Sequence, residues 1–124
     1  MRILAIICAL VLLGCGGSEF VPEPGPFAGD FVNGQTVLGS FSFTVTGDLI
    51  GGTGTLMHNA AQVSVSISAV ISDKSISGQV SNAVVGGGEF KGSFNGEDVA
   101  LGTFEFQDNV DQELTSGTWV ATVE

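Results

Sequence analysis

His58 is the only histidine in a chain of 124 residues, and so the only side chain suited to act as a general base near neutral pH. Catalysis would also require a positioned partner and an orienting group, and the sequence sets only Asn59 beside it. Twelve serines are present, but most fall on alternate positions that point outward from strands, and none sits in a nucleophile-elbow context. His58 is therefore read as a solvated loop residue, and no enzyme activity is expected. Zinc lacks a second histidine or a free thiol to hold it. The segment Asp108-Asn109-Val110-Asp111-Gln112-Glu113 supplies oxygen ligands, making Asp108, Asp111 and Glu113 a weak calcium candidate, without the Asp-x-Asp-x-Asp-Gly spacing of an EF-hand loop. The same acidic loop could also recognise a basic partner.

Charge removes further classes. Lysine plus arginine number 3 against 13 acidic residues, for a formal net charge of -10. Beyond Arg2 the only cations are Lys74 and Lys91, so the chain lacks the basic footprint that nucleic-acid binding requires. The length supports one compact domain.

The N-terminus carries an address. Met1-Arg2 precedes an unbroken apolar run from Ile3 to Leu13, a short positive region followed by a core of signal-peptide length. As a helix this run would rise about 16 Å, half of a bilayer's hydrocarbon core, which is too short to span it. Leu12-Leu13-Gly14-Cys15 then resembles the lipobox of bacterial lipoproteins. The resemblance covers the export signal alone. It implies cleavage before Cys15, a diacylglycerol on its sulfur and an acyl chain on the new amine, with no other cofactor. Gly16 stands where the family's inner-membrane retention signal carries Asp, which favours an outer membrane in the cell envelope. Cys8 would leave with the signal and Cys15 would carry lipid, so the domain has no thiol or disulfide and must be held by packing. The expected organisation is a signal at residues 1–14, a lipidated cysteine and Gly/Pro-rich tether at 15–26, and a β domain at 27–124.

From Phe27 onward no segment has helical periodicity, while alternation recurs, as in Phe41, Phe43, Val45 against Ser40, Ser42, Thr44. Glycine also sits two positions before a large apolar residue at Gly29/Phe31, Gly39/Phe41, Gly54/Leu56, Gly78/Val80, Gly88/Phe90, Gly92/Phe94, Gly102/Phe104 and Gly117/Trp119. Residues two apart share a face, so each inner face alternates large and empty. Setting large against small across each turn predicts seven hairpin registers. Turns at residues 34–36, 47–48, 58–61 and 73–74 place Phe31 opposite Gly39, Phe41 opposite Gly54, Gly52 opposite Ile67 and Ala69 opposite Gly78. A loop at 85–87 places Gly78 opposite Phe94, one at 95–97 places Phe90 opposite Gly102, and one at 108–113 places Gly102 opposite Trp119.

The expected fold is all-β, an eight-stranded antiparallel up-and-down meander closing into a small barrel, with a β-sandwich as the alternative. Inward Phe27, Phe31, Phe41, Phe43, Phe90, Phe94, Phe104, Phe106 and Trp119 should fill the lumen, so a small-molecule ligand is not the first expectation there. Gly117-Thr118-Trp119 is similar to the glycine-tryptophan pairs of lipocalin and avidin barrels, although lipocalins carry theirs on the first strand. On the outer wall Leu38 should lie across from Met57, and Leu101 across from Val120 with Val99 diagonal to them; with His58 these form the candidate interaction surface. The expected function is a non-enzymatic, lipid-anchored envelope barrel, structural or protein-binding, with the membrane reached through its lipid. A lipocalin-like carrier of an apolar molecule and a barrel-type protease inhibitor are the alternatives.

Overall fold

The alternation becomes eight antiparallel strands in a computed structural model that describes residues 21, 22 and 24–124. The signal segment, Cys15 and most of the tether lie outside the described residues. The strands are β1 (Gly25–Asn33), β2 (Thr36–Thr46), β3 (Leu49–His58), β4 (Ala61–Ser72), β5 (Ser75–Asn82), β6 (Gly86–Phe94), β7 (Val99–Asp108) and β8 (Leu114–Val123). Each pairs with its neighbour in sequence, and β8 pairs back onto β1, so the sheet is a closed barrel with no free edge. β4, uncharged and rich in β-branched residues, is thereby paired on both sides.

The stagger on closing sets the bore. A row of partners begun at Ala28 runs through Ser42, Thr53, Ser66, Ser81, Gly87 and Gln107 to Leu114. It ends eight residues before Thr122, the β8 residue that faces Ala28. Eight strands with a stagger of eight tilt by about 36° and enclose an interior that side chains fill in layers. The rings do this from opposite walls. Phe41 and Phe43 of β2 meet Phe90 of β6, diametrically across, with centroids 6.0 and 6.5 Å apart. Trp119 is fully buried, stacks on Phe90 at 4.4 Å, and receives the edges of Phe41 and Phe43. Its Nε1–H donates to the carbonyls of Lys91 (3.0 Å) and Thr103 (3.1 Å), so the one polar atom of the indole is satisfied on β6 and β7.

Five of the seven registers form as the size pattern predicts: β1–β2, β2–β3, β3–β4, β4–β5 and β7–β8. The other two differ. Gly78 faces Phe90 rather than Phe94, because the Asn82 side chain accepts the N–H groups of Val84 and Val85 and sets a three-residue turn at residues 83–85, two residues earlier than the expected 85–87, which slides the facing strand by four. Phe90 in turn faces Phe104 rather than Gly102, and Gly92 faces Gly102. Two bare positions side by side make a platform for a side chain larger than one gap could hold. A Cβ at Gly92 would lie 2.6 Å from Cζ2 of Trp119, which sits opposite Gly102 on β8.

The glycines do more than make room for rings. A Cβ at Gly102 would run into the Lys91 carbonyl, and one at Gly39 into that of Thr55, both on adjoining strands. The backbone itself comes closer there than any side chain permits. Gly51, on the outer face of β3, has nothing near its missing Cβ. Gly102→Ala is therefore expected to lower unfolding stability by about 1–3 kcal/mol through overpacking, while Gly51→Ala leaves it unchanged or slightly raised; urea melts of both variants check the contrast.

Candidate functional site

Parity along β3 places Ile50, Gly52, Gly54, Leu56 and finally His58 on the inner face. The histidine is thus buried at 3% exposure rather than solvated in a loop or displayed on a surface, which corrects its expected position. The reason is the turn that follows. Asn59 and Ala60 both adopt left-handed backbone (φ 53° and 64°), a two-residue turn that keeps His58 paired with Ala61 as the last residue of the strand.

His58 reaches across the distal mouth of the barrel, the end opposite the start of β1. Its Nε2 lies 3.3 Å from Oδ2 of Asp108, at the end of β7 on the facing wall, and its Nδ1 lies 2.6 Å from Oγ1 of Thr115 on β8. A carboxylate only accepts, so Nε2 carries the proton toward Asp108 and Nδ1 of the neutral ring accepts from the Thr115 hydroxyl. Phe106 meets the imidazole edge-on at 5.1 Å and seals it from below. The Asp108 carboxyl is held below its ordinary value chiefly by the amide of Val110, against an opposing push from partial burial. The Asp111 amide and His58 add to the lowering. Hydroxyl, imidazole and carboxylate in a line form the set that activates a hydroxyl in hydrolases. Here, with the imidazole buried, they tie β3 to β7 and β8 across the opening, a polar clasp above an aromatic core.

The clasp alters the reading of the acidic loop. Asp108 Oδ1 accepts from Val110 N–H at 2.7 Å and its other oxygen faces His58, so this carboxylate is already engaged. Among the described residues no group of three His, Cys, Asp or Glu side chains converges to hold a metal ion.

The expected outer-wall residues separate. Leu101 and Val120 are register partners and both exposed, with Val99 half-buried beside them, while Met57 is exposed at the distal end. Leu38 is instead half-buried and packs against the core. It is the unpaired residue where the β1–β2 register shifts, Phe31 facing Gly39 and Val32 facing Val37, a bulge that re-aims its side chain. A second exposed pair, Leu49 facing Val70, went unnoticed in the sequence, although the β2–β3 turn and the β3–β4 register together place it. Two shallow hollows of about 580 and 620 Å³ lie on the outer wall of β1–β5 and share Thr53-Gly54-Thr55; neither includes His58.

No family model, curated protein or solved structure matches the chain.

Two outcomes test the clasp and the turn that presents His58 to it. A carboxyl whose folded pKa is depressed stabilises the fold above its unfolded value, here near 3.8, and loses that contribution as pH falls through the lower folded value. The stability gap between the wild type and Asp108→Asn is therefore expected to close as pH drops below about 3.8, read from thermal melts of both. Ala60→Gly relieves a left-handed alanine and is expected to raise stability by about 1 kcal/mol, read from denaturant midpoints.

Proposed function

We propose that this chain is a non-enzymatic, lipid-anchored protein of the bacterial cell envelope whose barrel works through its outer surface, by binding a protein partner. The observation that carries the reading is the contact of rings across the axis: with Phe41, Phe43, Phe90 and Trp119 meeting in the middle, an apolar carrier's cavity has no place there. The anchor rests on Leu12-Leu13-Gly14-Cys15 and the apolar run before it. Two or three acyl chains, at roughly 0.8 kcal/mol per buried methylene, hold a protein to a bilayer durably where one chain does so only marginally. An outer-membrane location follows from Gly16 in place of the retention signal.

The topology suits such an anchor. β1 begins and β8 ends at the same end of the barrel, so a tether entering at Gly25 leaves the β1–β2, β3–β4, β5–β6 and β7–β8 turns pointing away from the attachment. The clasp of His58, Asp108 and Thr115 is then a fastening of the exposed mouth.

Metabolic labelling with an alkyne fatty acid, followed by mass analysis of the N-terminus, tests the anchor. The expected result is lipid on Cys15 of the cleaved chain and none on Cys15→Ser; an unlabelled wild type, or label retained in Cys15→Ser, contradicts it.

A further inference from the structure

The two ends of the barrel differ in chemistry. The turns at the tether end hold Gly47-Asp48, Asp73-Lys74 and Asn95-Gly96-Glu97-Asp98, all polar or charged apart from glycine, with one exposed apolar neighbour, Leu49, after the first. At the distal end every turn carries or adjoins an exposed apolar side chain: Val37 (62%), Met57 (44%), Val84 (81%), Val110 (86%) and Leu114 (56%). Val84 and Val110 are the two most exposed large apolar residues described.

These two valines are fixed in place. Asn82 Oδ1 accepts from the amides of Val84 and Val85, both at 2.9 Å, while its Nδ2 donates to the Ser64 carbonyl at 2.7 Å. Asp108 Oδ1 likewise accepts from Val110 N–H, and its other oxygen is held by His58. The two turns are joined directly, Asn109 N–H donating to the Val85 carbonyl at 2.8 Å. Two exposed apolar tips are thus carried on adjoining turns whose backbones are braced, which removes part of the ordering cost of binding. Asp111 and Glu113 stand exposed beside them, and none of the four distal turns contains a lysine or arginine. Lys74 lies at the other end, and Lys91 is on the wall of β6, 3.2 Å from Glu89.

We propose that the Val84–Val110 tips are the anchors of a docking surface for a protein that offers an apolar pocket rimmed by basic side chains. The apolar pair fills the desolvated centre of the contact, and Asp111 and Glu113 meet the partner's cations at its rim. A bilayer does not fit, because anionic lipid repels the acidic rim. A second copy does not fit either, because it would set acid against acid. The inference deepens the surface-binding reading above and names its location; it depends on the lipid anchor only for the direction in which the tips point.

The test uses the full chain in the cells that produce it, with Val84→p-benzoylphenylalanine, Val110→p-benzoylphenylalanine and, as a wall control, Thr53→p-benzoylphenylalanine. Irradiation is expected to yield one protein adduct from positions 84 and 110 and none from 53. The adduct's partner, identified by mass and purified, is then titrated against the full chain. Val84→Ser with Val110→Ser is expected to weaken binding at least tenfold with the melting temperature unchanged, and Asp111→Asn with Glu113→Gln to weaken it severalfold and flatten its salt dependence. Absent adducts, adducts with lipid or with the chain itself, equal labelling at 53, or an affinity indifferent to either double variant would overturn the proposal. Cys15→Ser is expected to bind the purified partner as tightly as wild type, so a failed anchor and a failed docking surface give different results.

Discussion

The fold depends on how closely its strands approach one another. Where a glycine on one strand faces the next, the neighbouring carbonyl occupies the volume that any Cβ would need, as at Gly39 against Thr55 and Gly102 against Lys91. This approach allows eight strands to close with a stagger of eight and a bore narrow enough for rings from opposite walls to touch. Burial supplies the driving force and the bare backbone supplies the shape. The described residues contain no cysteine, so no disulfide assists the packing there.

Trp119 shows how local and global requirements meet. Its ring needs more room than one glycine leaves, and its indole N–H needs an acceptor within a hydrocarbon core. The paired Gly92 and Gly102 meet the first need, and the carbonyls of Lys91 and Thr103, adjoining those glycines in sequence, meet the second. The register of β6 on β7 places both carbonyls within its reach.

Much of this was legible in the sequence. Period-two alternation and glycine two before a bulky residue led to eight antiparallel strands, the inward rings and the registers with short, well-marked turns. β5–β6 was not legible because Gly88, Phe90, Gly92 and Phe94 repeat every four residues, so a slide of four preserves every match of large with small. Only the hydrogen bonds of Asn82 decide between the two positions. β6–β7 failed because size matching assumes one ring per gap, and Trp119 takes two. His58 was misplaced by allowing the β3–β4 connection four residues; a two-residue turn requires alanine in left-handed backbone, which propensity argues against. The parity of β3, followed one residue further, would have turned the histidine inward. Asp108 and Thr115 lie 50 and 57 residues beyond His58, and the closed topology brings them to it.

Hydrogen exchange at Trp119 Nε1, followed by NMR, tests the filled axis most directly. The account predicts that this proton exchanges only through global unfolding, with an opening free energy equal to the stability measured in denaturant. Exchange through a smaller local opening, or at the rate of a free indole, would mean a centre that water enters, and would contradict it.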